Sequence, residues 1–411
     1  MDLVAVGRRI RRERERAGYG QRALAELAGL SQPTLHRIEL GTRAQVTLAE
    51  IDRLAHALDL PVRQLTTGSP VRERVHIAAR IDPAVAEEDK EDALRLVVEV
   101  LELDARLDSG AGDGVTDRPP RRPATGPRPV GTCATPEEQG KALAESVRST
   151  LGLGAAPIAD IDELIEHLTG VDTAVLRLPK PVDGFTVTDP ERNTTLIAVR
   201  ACDVPERQRF TFAHELGQLL QGDGTEVHEL GGARTPAEQR CDAFARHLLA
   251  PLTGIRTWLG PPDEGPDSEA DELVDERTAA LLARHFRVSF PVMLIQLECL
   301  NLISAARKSS LKGPTGVELS QRYGWGPAYE QEIDASQTVR PPRRILERAM
   351  LAYRGHRIGV RVLAMLEGRG VEETEAALRE AGLVPEPQTP KRADITRLAA
   401  RARPEPDTED H

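Results

Sequence analysis

The residues with the clearest chemical potential lie in the segment RQRFTFAHELGQLLQGDG at positions 207–224. On a helix, His214 and residue 218 stand one turn apart on the same face, with Glu215 beside them. This is the geometry of the motif H-E-x-x-H, in which two histidines bind zinc and the glutamate activates a water molecule. Residue 218 is glutamine here. The segment therefore indicates a zinc-type site that lacks one of its usual ligands.

Several arrangements could follow from the loss of the second histidine. The amide oxygen of Gln218 is a neutral, weak ligand that could take the place of an imidazole. His228, in a glycine-rich loop, or the more remote His247 could supply a nitrogen ligand instead. Alternatively, metal binding has been lost and His214 is simply a half-buried histidine. The sequence leaves metal binding and metal loss open.

A second pattern with chemical meaning is GQRALAELAGLSQPTLHRIELGTR at positions 20–43. It predicts a helix over 21–28, a turn at Gly29, and a second helix that is capped by Ser31. Glutamine suits the reading of adenine, whereas arginine and threonine suit guanine or phosphate. The predicted exposed residues of the second helix are Gln32, Thr34, His36 and Arg37. The pattern is typical of a helix-turn-helix that reads duplex DNA.

The distribution of charge agrees with a nucleic-acid-binding module at one end of the chain. The 411 residues carry 54 Lys+Arg and 65 Asp+Glu, a net charge of -11. Residues 1–67, however, carry 11 Arg and 8 Asp+Glu and are therefore basic, with a net charge of +3. This asymmetry favours a nucleic-acid module at the N-terminus and argues against binding along the whole length.

Composition excludes several other classes of protein. The four cysteines are far apart and form no C-x-x-C pair, which argues against a disulfide scaffold and a cysteine-type zinc ribbon. No stretch approaches the roughly 18 apolar residues that cross a bilayer. The N-terminus has a run of charge where a secretory signal would be apolar. We expect a reduced, cytoplasmic protein with no membrane partner.

The elements that must position these residues divide into successive regions. Residues 109–133 contain five Gly and five Pro among 25, which predicts a linker between halves that move independently. Within 134–305, strands are expected at 171–178 and 193–199, and helices at 137–150, 161–168, 205–220, 236–249, 271–286 and 291–300. The predicted regions are a helical DNA-binding domain (1–70), a connecting helical segment (71–108), the linker, an α+β domain (134–305), a helical C-terminal region (306–388) and a disordered tail (389–411).

The N-terminal pattern resembles the Xre/Cro-type phage-repressor family of helix-turn-helix domains over about residues 6–66, including the glutamines that open both helices. In that family the second helix enters the major groove. The resemblance therefore implies base or phosphate contacts for Gln32, Thr34 and Arg37. It further implies backbone contacts for Gln21, Ser31 and Arg43. Gly20 departs from the family, which usually has a serine there.

The central region resembles the ImmA/IrrE family of metallopeptidase-like domains over about residues 134–305. The resemblance is carried by ERQRFTFAHELG (206–217) and EQRCDAFARHLLAP (238–251), and members frequently follow an Xre-type domain. It implies an α+β zincin-like fold and zinc as cofactor. The implied roles are metal ligand for His214 and Glu238, with Gln218 at the place of the second histidine, general base for Glu215, and support of a ligand for Asp242.

These patterns predict a sequence-specific transcriptional regulator with a metallopeptidase-like sensor or partner-binding domain whose zinc motif is degenerate. The expected partner is double-stranded DNA, bound by a homodimer. One alternative is an active zinc protease that cleaves a repressor or another partner protein. A further alternative is an antitoxin or adaptor that binds a protein partner. The sequence does not identify the operator, the effector or a peptide substrate.

Overall fold

A computed structural model describes residues 3–43, 45–58, 60, 62–66, 71, 75–81, 87–109, 135–180, 182–222, 228–229, 235–260 and 274–385. It divides into two units, residues 1–345 and 346–411. Apart from Ser109, the predicted linker lies outside the described residues, as does the predicted tail at 389–411. The predicted fold class is confirmed: an all-α N-terminal part, a mixed α/β region and a helical C-terminal part.

The N-terminal part consists of five short helices with strong local start signals. Ser31 accepts a hydrogen bond from the backbone N–H of Thr34, and Thr47 and Glu50 form a capping box. Gly29 has a φ of +63°, as the turn between the second and third helices requires. The helices are α1 (Leu3–Arg16), α2 (Gln21–Leu27), α3 (Gln32–Glu39), α4 (Leu48–Ala57) and α5 (Val62–Thr66). Their buried core includes Ile10, Leu24, Leu35, Ile51 and Leu54.

One mixed five-stranded sheet lies at the centre of the first unit. The strands are β1 (His76–Ile81), β2 (Asp172–Leu176), β3 (Val182–Asp189), β4 (Thr194–Arg200) and β5 (His228–Glu229). Their order is β2-β4-β3-β1-β5, in which β3 is antiparallel to β4 and β1, and the outer pairs are parallel. The predicted strands β2 and β4 are confirmed. The sequence patterns did not predict β1 or β3.

Strand β1 and the helix after it connect the N-terminal part of the chain to this sheet. Strand β1 lies inside the segment predicted to be helical, 71–108, and pairs with β3 through six residues. The following helix, α6 (Glu87–Ser109), contacts β3. Its buried Asp104 pairs with Arg192 at 2.8 Å and with Arg344 at 2.9 Å. The chain on the N-terminal side of the predicted linker thus contributes a strand and a helix to the central domain.

A single proteolytic cut between residues 110 and 134 is therefore expected to leave two fragments that remain associated. The pairing of β1 with β3 and the ion pairs of Asp104 join the chain on the two sides of the cut. Gel filtration of protein cut at an engineered protease site should show one peak. Asp104→Ala should weaken the association by up to about 3–5 kcal/mol, because it removes a buried carboxylate from Arg192 and Arg344. These two arginines keep Asp108 and Asp172 as partners, which limits the loss. Native fragments that separate on the column would contradict this expectation.

Helices cover the sheet and complete the core. They are α7 (Pro136–Thr150), α8 (Ile161–Thr169), α9 (Pro205–Gln221), α10 (Pro236–Leu249), α11 (Leu252–Leu259), α12 (Glu276–Phe286) and α13 (Phe290–Cys299). Helices α7 and α10 pack closely because Gly140 has no side chain: a Cβ there would lie 2.3 Å from the carbonyl oxygen of Arg240. Fully buried residues of the core include Phe244, Leu248 and Phe286.

The C-terminal region is helical, as predicted. Its helices in the first unit are α14 (Ala305–Leu311), α15 (Gly316–Tyr323) and α16 (Gly326–Gln337), after which α17 (Arg343–Arg354) leads into the second unit. The second unit contains α18 (Val360–Glu367) and α19 (Val371–Glu380). In the described part of the chain, no single helix is long and apolar enough to cross a membrane. Among these described residues, α12 and α13 reach the required length and composition only when taken together, and the angle between them is 106°.

Candidate metal centre and nucleic-acid interface

Two helices, α9 and α10, carry the residues that the sequence singled out for metal binding. Helix α9 begins at Pro205 and ends before Gly222, whose φ of +75° closes the helix. Helix α10 begins after Thr235, which accepts a hydrogen bond from the backbone N–H of Glu238. A Cβ at residue 217 would lie 2.9 Å from the Phe244 ring, so glycine at this position lets the two helices approach each other.

The contact between these helices brings four polar side chains together in the interior. They are His214, Gln218, Glu238 and Asp242, which are at most 8% exposed. The Nδ1 atom of His214 lies 3.0 Å from Oδ1 of Asp242. The Nε2 atom of the same ring lies 3.6 Å from Oε2 of Glu238. The structure thus places together the residues that the sequence predicted for the site.

Hydrogen bonding fixes the roles of the four groups. Because Asp242 is an acceptor, the His214 ring donates from Nδ1 and keeps a lone pair on Nε2. The Gln218 amide nitrogen lies 3.2 Å from that Nε2 atom and 3.4 Å from Oε1 of Glu238. The amide N–H groups therefore donate to the two side chains that would otherwise bind a metal. The Gln218 oxygen is buried and has no hydrogen-bond partner among the described residues.

Glu215 lies on the same helix but is held by a different element. Its side chain is fully buried, and its Oε2 accepts a hydrogen bond from the Thr186 hydroxyl of β3 at 2.7 Å. Sequence reasoning missed Thr186 because it did not predict β3. The only local signal is a threonine within a short segment rich in β-forming residues, FTVT at 185–188.

Of the two other histidines considered as ligands, His247 does not complete the cluster. His247 is hydrogen-bonded elsewhere, since its Nε2 contacts Glu137 at 3.1 Å and its Nδ1 contacts Gln296 at 3.3 Å. The backbone of His228 forms part of β5, but its side chain lies outside what the structure describes. The pKa of the Glu137 carboxyl is lowered to about 2, chiefly by its hydrogen bond to His247. His247 thus has a structural partner in α7.

The described residues do not fit a zinc ion. Zinc sites use three or four ligands drawn from cysteine, histidine and carboxylate groups. In the described ranges, no group of three such residues is arranged to hold a metal. His214 and Glu238 converge, but the third position holds an amide nitrogen that donates hydrogen bonds and has no lone pair to offer.

The N-terminal helices present the residues predicted to contact DNA. Gln32 and Arg37 are exposed on α3, whereas Thr34 is half-buried and Ser31 caps the helix. The Arg37 guanidinium contacts the carbonyl oxygen of Pro33 at 3.2 Å, one turn earlier in the same helix. Gln32 and Arg37 thus lie on the exposed side of α3 among the described residues.

Two residues implied as contacts to the DNA backbone are held by carboxylates. The Gln21 amide donates to Glu39 at 2.7 Å, and the Arg43 guanidinium donates to Glu50 at 2.7 Å. Glu39 also receives two hydrogen bonds from Arg14, at 2.7 and 3.1 Å. Sequence reasoning missed this Arg14–Glu39 pair, since no local pattern links residues 25 positions apart.

Comparisons with known families agree with this division of the chain. Residues 5–66 match the model of a family described as "Helix-turn-helix domain", and residues 169–298 match that of the "IrrE N-terminal-like domain". A protein of Deinococcus radiodurans named "Radiation response metalloprotease IrrE" is 32% identical over 151 residues, which cover 34% of this chain and 44% of that protein. The protein of the same name from Deinococcus deserti is 30% identical over 163 residues, covering 37% and 56%. The chain thus spans about half the length of these relatives.

Two solved structures show only a remote likeness. ComR from Streptococcus suis is 13% identical, with a TM-score of 0.15 and coverage of 98% of this chain and 92% of that one. Bacillus thuringiensis PlcR, in complex with the peptide PapR7 and DNA, is 12% identical, with a TM-score of 0.16 and coverage of 81% and 99%. TM-scores this low do not establish a shared fold. The two family matches show that the chain joins an N-terminal helix-turn-helix domain to a metallopeptidase-like domain of the ImmA/IrrE type.

Proposed function

We propose that this chain is a sequence-specific DNA-binding transcriptional regulator whose ImmA/IrrE-type domain senses a signal or a partner without hydrolysing peptides. The observation that carries the proposal is the position of the Gln218 amide. It donates hydrogen bonds to His214 and Glu238, the two strong ligand groups of the cluster. A zinc peptidase needs those groups free to bind the ion together with a third ligand and a water molecule.

The Gln218 amide also explains how the cluster remains folded without a metal. A buried imidazole nitrogen and a buried carboxylate that lack donors would each incur a desolvation penalty of about 1–3 kcal/mol or more. The amide nitrogen satisfies both groups with its two N–H bonds, and Asp242 satisfies the other side of the ring. The domain can therefore serve as a stable scaffold for sensing or binding.

Quantifying metal in the purified protein tests the proposal directly. We expect well below one zinc per chain by mass spectrometry, and a melting temperature that does not change with a chelator or with added zinc. The reason is that a protein is stabilised only by a ligand that binds its native state appreciably. One tightly held zinc per chain, with a melting temperature that falls on chelation, would contradict the proposal.

A second candidate function, a zinc-dependent regulatory protease, is favoured by two observations. Glu215 is positioned by its hydrogen bond to Thr186, and His214 is oriented by Asp242, as metal ligands commonly are by a carboxylate. Peptidase activity of a zinc-loaded wild type, together with loss of the bound zinc in a His228→Ala variant, would support this function. That result would identify the histidine of β5 as the missing ligand.

DNA recognition by the N-terminal domain is proposed to rest on Gln32 and Arg37. If the protein acts as a dimer, its two recognition helices should meet half-sites about 34 Å apart. A Gln32→Ala variant should lose about 1–3 kcal/mol of preference for its best site, because one base-reading side chain is removed. Selection from a random duplex library, followed by binding titrations, would measure this change.

The matched control for that experiment is Arg53→Ala, a change in α4 away from the recognition helix. It should leave the sequence preference unchanged. If the wild type shows no preference for any duplex over bulk DNA, the proposed recognition role is wrong. The same holds if Gln32→Ala selects the same sites with the same affinity as the wild type.

A further inference from the structure

The first unit contains a cavity that the proposed function does not use. Its volume is about 460 Å³, and it lies where the N-terminal ends of α9, α13, α15 and α16 meet. Glu206, in its wall, precedes His214 by eight residues on α9, which corresponds to about 12 Å along the helix. A cavity of this size is within the range of about 300–1,000 Å³ that is typical of small-molecule sites.

The wall of the cavity is mainly apolar and partly aromatic. Phe290, Leu319 and Trp325 line its interior. At its rim, Val204 and Val317 are 39% and 43% exposed, so apolar surface is presented to solvent at the opening. Apolar surface that is concentrated around a concave opening is a common feature of ligand sites.

The charged groups in the wall are already paired or solvated. Arg284 donates to Glu332 at 2.5 Å, and Asp203 is exposed to water. The Tyr329 hydroxyl donates to Oε2 of Glu206 at 2.9 Å, and burial raises the pKa of that carboxyl. An anionic ligand would have to give up its hydration without gaining an unpaired cation in this wall, because Arg284 is held by Glu332.

The backbone is shaped to hold the pair of Tyr329 and Glu206 in place. A Cβ at residue 316 would lie 2.3 Å from the Tyr329 hydroxyl oxygen, so glycine is required there for the ring to reach Glu206. The pair places a hydroxyl and a carboxyl in a wall that is mainly apolar. Such a group can accept or donate one hydrogen bond to a ligand and thereby orient it.

We propose that this cavity binds an uncharged small organic molecule, with an apolar body that contacts Phe290 and Trp325 and a polar group that meets Tyr329 and Glu206. The inference goes beyond the proposed function, because it concerns a different site and holds whether or not the chain hydrolyses peptides. It assigns the sensing role of the domain to a specific place and to a class of ligand.

Two fluorescent probes that differ in charge test the proposal on the full-length protein. N-phenylnaphthylamine is uncharged, whereas anilinonaphthalenesulfonate has a similar ring system with an added sulfonate. We expect saturable binding of one N-phenylnaphthylamine per chain, and about tenfold or more weaker binding of the sulfonate, because its charge must be desolvated. Absence of saturable binding, or equal affinity for the two probes, would overturn the proposal.

A pair of matched variants shows whether the probe occupies this cavity. Val317→Trp should fill part of the opening and weaken binding of N-phenylnaphthylamine several-fold. Val371→Trp makes the same change at a residue of similar exposure, 37%, in the first turn of α19, and should leave binding unchanged. Both positions are exposed, so both variants should fold. Equal binding by the two variants would place the probe elsewhere and refute the assignment.

Discussion

A Gln218→His variant is expected to bind zinc more than about 100-fold more tightly than the wild type. Loss of a residue that only hydrogen-bonds to a metal ligand lowers the affinity of a site by about 10–100-fold, so a regained direct ligand should exceed that range. The new imidazole would replace an amide nitrogen that lies 3.2 Å from His214 Nε2 and 3.4 Å from Glu238 Oε1. Two histidines and one glutamate would then face a common point, which is the ligand set of many catalytic zinc sites. Isothermal titration with zinc would measure the gain.

Two control variants separate a restored ligand from a general change of packing. Gln218→Met has a similar size but offers no hydrogen bond and no strong zinc ligand, so it should bind no more zinc than the wild type. It should also unfold more easily, because His214 and Glu238 lose a donor. Glu215→Gln, combined with Gln218→His, should retain the zinc affinity, since Glu215 is not one of the ligands. If Gln218→His binds zinc no better than Gln218→Met, residue 218 does not face the same point as His214 and Glu238.

The two helices of this cluster were predictable because their ends have strong local signals. Pro205 and Gly222 frame α9, and Thr235 with Pro236 opens α10, so the predicted and observed ranges differ by at most one residue. The approach of α10 to His214 was predicted from the resemblance to a family, because the periodicity of apolar residues does not show which helices pack against each other. The direction of the Gln218 hydrogen bonds required the three-dimensional structure.

The strands show where the pattern of apolar and polar residues fails to predict secondary structure. Six of the eight residues of β3 are buried, so the strand lacks the alternation of apolar and polar residues that marks a half-buried strand. Strand β1, HIAARI, has no regular alternation and follows a helical domain. Thr186 and the attachment of β1 to the sheet were therefore outside the reach of sequence patterns.

The N-terminal domain shows a different limit of sequence reasoning. Its turn and caps follow from residue types at fixed short spacings, and the structure confirms them at Gly29, Ser31 and Thr47. The contacts of Gln21 and Arg43 with carboxylates join separate helices and could not be derived from local spacing. Whether these two residues also contact DNA stays a prediction.

A Glu39→Ala variant is expected to unfold the helix-turn-helix domain while leaving the central domain folded. Glu39 is 3% exposed and receives two hydrogen bonds from Arg14, which is 7% exposed, and a third from Gln21. Removing the carboxylate leaves the buried guanidinium with only the exposed carboxylate of Glu15 as a counter-charge, a loss of up to about 3–5 kcal/mol. That loss is comparable to the whole stability expected of a domain of about 60 residues. Hydrogen exchange should accelerate throughout α1–α4 but remain slow in α9 and α10, and specific DNA binding should disappear.

Two further variants show whether an uncompensated charge is the cause of this unfolding. Glu26→Ala removes an exposed carboxylate from α2 of the same domain, and a change of this kind typically alters stability by less than about 0.5 kcal/mol. Arg14→Met combined with Glu39→Met replaces the whole pair with apolar side chains, so no buried charge is left alone. The double variant should therefore retain more exchange protection in α1 and α3 than Glu39→Ala does. If Glu39→Ala instead exchanges like Glu26→Ala, the Arg14–Glu39 pair does not stabilise the DNA-binding domain.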